Sequence, residues 1–236
     1  MSSLSPLVSR VKLLAQHSTT IALDLLFPPY CVNCERVGSF LCPRCVQTIL
    51  PAQPRIIDGL DGICVRAGFE GATRNAIHAF KYERQTRLAG PLGDLICQAL
   101  QETAWPVDLV TAVPLHAARL RERGYNQAAL IGQHVAFKQG WGFAANAIER
   151  VRETTSQTQL NAQERRANVQ GAFRADGSLV AGKQVLVVDD VLTTGATLCA
   201  CADALRAAGA IGVYGAAIAG AVHSDSVGAG VSDTPV

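Results

Sequence analysis

The stretch that most narrows the fold is Val185 to Thr197, VLVVDDVLTTGAT. Its first residues, Val185, Leu186, Val187 and Val188, are too few for a helix, and their β-branched side chains suit a strand covered on both faces. The pattern predicts a central strand of a parallel sheet. Two adjacent acids, Asp189 and Asp190, follow at its carboxyl end, then Val191, Leu192 and a small polar turn, Thr193-Thr194-Gly195-Ala196-Thr197. The turn opens an alanine-rich helical segment from Leu198 to Ala208, closed by Gly209. In open α/β sheets, ligands gather outside the carboxyl ends of the strands, where free backbone NH groups and the helix dipole attract anions. A phosphate fits the Thr193 to Thr197 loop. The acids beside it suit a diol, reached directly or through Mg2+, which prefers carboxylates and keeps several waters. Phosphate beside vicinal hydroxyls describes a 5-phosphoribosyl group.

Any buried strand can end in acids and be followed by a capped helix, since Asp and Thr are ordinary residues before a first turn. The order of the whole segment nevertheless resembles, at every position, the phosphoribosyl pyrophosphate (PRPP) signature of type I phosphoribosyltransferases. A receiver domain also has a strand ending in two acids, but it needs a further strand with a phosphoacceptor Asp, and the chain after Asp190 is too short to complete it.

With 236 residues, 49% of them hydrophobic, one sizeable core plus a small appendage is expected. A formal net charge of +2 does not announce a nucleic-acid binder with a large basic field, so any such binding must be local. No apolar run approaches the ~20 residues that span a bilayer. The N-terminal apolar stretch is broken by Gln16, His17, Ser18, Thr19, Thr20 and Asp24, which makes a poor signal peptide. A cytoplasmic location is expected, with the eight cysteines as metal ligands or reduced thiols.

Taken in order, residues 1–27 read as an amphipathic helix ended by Pro28-Pro29. Residues 28–50 hold Cys31 and Cys34, then, after seven residues, Cys42 and Cys45. Two C-x2-C pairs this close bring four thiolates to one tetrahedral Zn2+, as in small zinc ribbons. Cys64, Cys97, Cys199 and Cys201 read as small core residues. Pro51 to Asp61 reads as a linker. A strand is expected over Ile63 to Phe69, helices over Thr73 to Phe80 and Leu88 to Thr103, and a strand over Leu109 to Val113. That strand runs into Pro114-Leu115-His116 and a basic segment in which Arg119 and Arg123, four apart, share a helix face. Two guanidiniums at a strand end suit a pyrophosphate, though a solvated basic face is the plainer alternative. Gln127 to Phe137 continues as helix, Ala144 to Val151 reads as a strand, and the polar Arg152 to Gln170 reads as a lid over a charged substrate. Gly212 to Ala219 is the last strand, and residues 221–236 read as a disordered tail after a main domain of residues 51–220.

The cysteine pairs, Pro114 to Gln127, Ser156-Gln157 to Arg165-Arg166-Asn168, and the 185–197 signature occur together in this order. Together they resemble the ComF family of late competence proteins, with coverage from about Leu23 to Ala219. The resemblance implies an α/β, type I phosphoribosyltransferase-like fold with a parallel central sheet, preceded by the zinc-ribbon module. It carries Asp189 and Asp190 to the ribose hydroxyls, Thr193, Thr194, Gly195, Ala196 and Thr197 to the 5-phosphate, and Leu115, His116, Arg119 and Arg123 to the pyrophosphate loop. It implies Mg2+ with PRPP, and a role in DNA uptake or use of external DNA, with single-stranded DNA and a competence helicase as partners. The alternative is an active phosphoribosyltransferase of nucleotide or nucleobase metabolism. By pattern the nearest enzymes are glutamine amidophosphoribosyltransferases, but Ser2 stands where their catalytic Cys would be, so glutamine-dependent chemistry is not expected.

Overall fold

The computed structural model describes residues 28–152 and 168–220. The expected N-terminal helix, most of the polar 152–170 segment and the expected tail lie outside the described residues. In chain order the elements are α1 (Pro43–Gln47), β1 (Gly62–Gly68), α2 (Gly71–Tyr82), α3 (Ala89–Leu100), β2 (Leu109–Ala112), α4 (Ala117–Arg123) and α5 (Gln127–Gln139). They continue with β3 (Gly142–Phe143), β4 (Ile148–Arg150), β5 (Phe173–Ala175), α6 (Gly177–Val180), β6 (Gln184–Leu192), α7 (Ala196–Ala207) and β7 (Gly212–Gly220).

The main sheet has the order β1-β7-β6-β2-β3 and is parallel throughout, as a chain with buried aliphatic strands and long crossovers should be. β6 lies at its centre. Because successive strand side chains point to opposite faces, its apolar run serves two cores. Leu186 and Val188 join Ile77, Phe80, Leu92, Ile96 and Ile131 on the α2–α3–α5 side, while Val185 and Val187 join Leu198, Cys201 and Leu205 of α7 on the other. At about 1.5–3 kcal/mol for each fully buried aliphatic side chain, this two-sided burial holds β6 in place.

The strand continues further than its apolar residues predict. β7 keeps pairing with β6 as far as Leu192 opposite Gly220, so the acids lie inside the strand rather than after it. The expected strand over Ala144 to Val151 is instead two pieces. β3 pairs with β2; the chain then turns at Ala144–Ala147, and β4 pairs antiparallel with β5 outside the main sheet. Neither β5 nor the one-turn α6 was expected, being too short for periodicity to reveal.

Two connections depart from their expected roles. Pro51 to Asp61 is a strap, not a free linker: Ala52 N donates to Arg66 O (3.2 Å), Arg55 Nη1 to Thr193 O (3.1 Å) and Asp61 N to Val213 O (2.9 Å). The cysteine segment is continuous with the main core, where Cys31, Leu41, Cys45 and Ile49 share a cluster with α2 and α3. Asn75 Nδ2 donates to Asn33 Oδ1 (3.0 Å) and Arg87 lies over the Phe40 ring, joining the two further.

α3 and α5 approach closely because Gly93 has no side chain. A Cβ there would meet the His134 ring at 2.6 Å, and that ring is held by Asp94 at 2.8 Å. Gly93→Ala should therefore overpack the interface and cost about 1–3 kcal/mol, read as a lower urea midpoint with unchanged slope.

Candidate functional site

In the strand order, β2 connects onward to β3 and β6 to β7, so their connections leave in opposite directions. In parallel sheets a crevice opens at the carboxyl ends of such a pair, and the connections that carry the expected site residues follow these two strands, Pro114 to Arg123 after β2 and Thr193 to Thr197 after β6.

Asp189 and Asp190, adjacent in sequence, alternate in space. Asp190 reaches the α2 side, where its Oδ1 lies 2.8 Å from Lys81 Nζ. The pair is largely sheltered, with side chains 21% and 14% exposed. Asp189 follows Val185 and Val187 to the α7 side, where Arg150 and Cys201 are close enough for their ionisation to be coupled to it. Its Oδ1 accepts the Asp190 backbone N–H at 2.8 Å. Burial and the charge of Asp190 push the Asp189 carboxyl up to about 7, against that hydrogen bond, Lys81 and Arg150. Burial lowers the affinity of Arg150 for its proton, as does the charge of Arg119, and burial over Asp189 raises the Cys201 thiol. The expectation of two acids side by side thus becomes two carboxylates at one crest, each attended by a cation from a different layer.

The turn after β6 has Thr193 exposed, Thr194 partly buried and Gly195 at φ +82°, a left-handed conformation favouring glycine. The Ile57 side chain of the strap lies 2.7 Å from where a Cβ at Gly195 would stand, a second reason for glycine there. Ala196 N donates to Thr194 Oγ1 at 3.4 Å, and Thr197 lies in the first turn of α7. A cavity of about 530 Å3 adjoins the turn, lined by Arg55, Ile57, Glu70, Thr193, Thr194 and Gly220 among others.

Across the crevice, His116 caps α4 by accepting from Ala118 N, and Gly124 ends it with φ +84°. Tyr125 donates its hydroxyl to Phe80 O, and Asn126 caps α5 while donating to Val113 O at 3.0 Å. The Arg-Gly-Tyr-Asn stretch therefore pins α4 to α2 and β2. Arg119 and Arg123 both lie on α4. Arg119 is felt at Arg150, whereas Arg123 lies over the Tyr82 ring, 5.7 Å from its centre. Tyr82 is 67% exposed and sits 5.0 Å from the His78 ring, so an aromatic surface borders the arginines that the segment's own sequence did not announce. Lys81, Tyr82, Arg150 and Arg55 were not singled out from sequence; each is brought in by tertiary folding, and no local motif marks them.

The cysteine sulfurs of Cys31, Cys34, Cys42 and Cys45 all lie within 4.8 Å of one another. Sulfurs at about 2.3 Å from a tetrahedral Zn2+ stand somewhat closer than that, so the donor set fits this ion. Burial opposes ionisation of Cys31, but NH groups of Cys42, Asn33 and Cys34 aimed at its sulfur bring it down to about 6. Burial pushes Cys45 up to about 12, and the neighbouring sulfurs add to the rise. Four sulfurs packed so closely ionise together only with a cation to share.

A phosphoribosyl transferase domain model matches residues 129–225. The DNA utilization protein YhgH of Salmonella typhi is 33% identical over 177 residues, covering 73% of this chain and 74% of that protein. Competence protein F of Haemophilus influenzae is 30% identical over 181 residues, covering 72% and 75%. Among solved structures, the allosteric regulatory enzyme of purine biosynthesis is 26% identical with a TM-score of 0.37, covering 55% of this chain and 26% of that larger one. Adenine phosphoribosyltransferase from Thermoanaerobacter pseudethanolicus is 17% identical over 60% of this chain and 72% of its own, with a TM-score of 0.38. Among the described residues no helix is long and apolar enough to cross a membrane.

The cysteine geometry has a direct test. Protein purified without chelators should hold one zinc per chain by elemental analysis, and Cys42→Ser should lose it and unfold at a lower temperature, because the module shares its core with α2 and α3.

Proposed function

The chain belongs to the ComF family, and we propose that it binds PRPP or a related 5-phosphoribosyl compound, with Mg2+, across the carboxyl ends of β2 and β6. The observation that carries this reading is the order of charge along the crevice. A turn rich in hydroxyls opens α7, two carboxylates stand at the crest of β6, and Arg150 and Arg119 add positive charge around them. In this reading Thr193, Thr194, Gly195, Ala196 and Thr197 hold the 5-phosphate, Asp189 and Asp190 accept from the ribose hydroxyls, and Leu115, His116, Arg119 and Arg123 face the pyrophosphate. Mg2+, when bound, would neutralise charge on the pyrophosphate. The arginines would orient the same group and stabilise it as charge develops on leaving. Residues 28–50 form a structural zinc module beside a phosphoribosyl-binding domain of residues 51–220, and the protein works in the cytoplasm in the handling of DNA taken up or used by the cell. Catalysis with a nitrogen acceptor is the alternative; purified protein screened for PRPP turnover with bases, ammonia and small amines separates it from binding alone.

A second ligand is favoured by one observation, the exposed Tyr82 ring beside Arg123. Single-stranded DNA could lay phosphates on Arg119, Arg121 and Arg123 and a base near Tyr82, where stacking is worth ~1–3 kcal/mol per base. Binding of a labelled strand, followed by anisotropy, should weaken steeply with salt and be displaced by Mg-PRPP. Tyr82→Ala should weaken it about fivefold or more if the ring stacks. Displacement by PRPP without any effect of Tyr82→Ala would restrict the contacts to phosphates.

For the phosphoribosyl ligand itself, Asp189→Asn with Asp190→Asn keeps the shape while removing both charged acceptors. Hydrogen bonds to charged groups contribute ~1.5–3 kcal/mol, so PRPP affinity by calorimetry should fall at least about tenfold. Because the Asp189 carboxyl is pushed up to about 7, it is largely protonated below neutrality and becomes a charged acceptor as the pH rises. PRPP should therefore bind more tightly at about pH 8 than at about pH 6, and Asp189→Asn should flatten that part of the dependence. An unchanged affinity in the double variant would remove the acids from the site.

A further inference from the structure

The Lys81–Asp190 ion pair crosses from one layer to another, and its mooring is unusually firm for a lysine. Lys81 lies in the last turn of α2, whose other face is buried through Ala76, Ile77, Ala79 and Phe80. The carbonyl of Phe80 receives the Tyr125 hydroxyl, so this turn is fastened to the segment that follows α4. Its ammonium stands at the crest of β6, 2.8 Å from Asp190 Oδ1 and largely sheltered.

The charges around the crest then leave no surplus of negative charge. Two carboxylates, Asp189 and Asp190, are matched by Lys81 and Arg150, and Arg119 adds positive charge nearby. A bare divalent cation approaching Asp190 would have to displace an ammonium already in contact and sit among guanidiniums, with no anion to balance it. A cation arriving with a polyphosphate meets a different situation, because the phosphate oxygens give Lys81 another anionic partner.

We infer that Lys81 is a binding residue that makes uptake of the divalent cation conditional on the polyphosphate. It neutralises Asp190 while no anionic ligand is present and turns to the phosphate oxygens when one is. Lys81 and the cation are alternative counter-ions of one carboxylate. The inference rests on the phosphoribosyl reading of the site and adds to it a residue, Lys81, that changes partner from Asp190 to the phosphate oxygens when the ligand enters.

The test uses Mn2+ as the probe, followed by proton relaxation of water, on the full chain with its cysteine site saturated with zinc. Without PRPP, Lys81→Met should bind Mn2+ at least tenfold more tightly than the wild type. With Mn2+ present, the same variant should bind PRPP at least tenfold more weakly, and Lys81→Arg should recover part of that loss. Charge-balanced Lys81→Met with Asp190→Asn leaves no unpaired carboxylate at this position and should lose the gain in Mn2+ affinity, which ties the gain to Asp190 rather than to a loosened fold. Equal Mn2+ affinity in the wild type and Lys81→Met overturns the inference, as does a gain that survives in the double variant. Failure of PRPP to bind the wild type would instead overturn the phosphoribosyl reading, while the Mn2+ comparison still decides what Lys81 does to Asp190.

Discussion

Everything at the crevice depends on the pairing of β6 with β7 beyond the last of its aliphatic residues. A strand gripped on both edges and both faces through Val188 can carry two carboxylates further along, where an unsupported chain would curl away from their mutual repulsion. β7 makes this possible by being small: Gly215, Ala216, Ala217 and Ala219 leave room for flanking side chains from the strap, β1 and α7, while the ladder of hydrogen bonds continues. The acids are thus displayed by a rigid element, and rigid display suits charged groups that must meet a ligand with little reorganisation.

The parallel sheet was legible because four consecutive aliphatic residues followed by acids and a threonine–glycine turn satisfy strand propensity, two-sided burial and turn chemistry together. The four cysteines were legible because ligand spacing is itself a local signal. What could not be read was mostly the work of distant partners. Lys81 is an unremarked helix-terminal lysine until α2 is laid against β6, and Arg150 belongs to a three-residue strand whose partner, β5, is itself too short to recognise. The strap misled for another reason. Prolines and a glycine mark irregular backbone, but irregular backbone can still be tightly fastened, as the contacts of Ala52, Arg55 and Asp61 are.

The relatives carry DNA-handling names while the matched domain model is a phosphoribosyl transferase one, so the proposed sugar phosphate and the proposed single strand compete for the same chemistry. A phosphate on a ribose and a phosphate in a strand ask for the same guanidiniums. What distinguishes them is the rest of the ligand: a diol calls for the carboxylates, which would repel a strand's backbone, whereas a base calls for an aromatic face such as Tyr82.

The strap has one more consequence, for the order in which the molecule assembles. Arg55 and Thr193 are separated by 138 positions, and Ile57 packs on Gly195 across a similar span. The Asp94–His134 contact between α3 and α5 already spans 40 positions, and closing the longer span to Thr193 costs only about 1 kcal/mol more, because the entropic cost grows with the logarithm of loop length. A nascent chain in which β7 has not yet emerged has both strands that flank the crevice, but lacks the partner that extends β6 past Val188 and through its two acids.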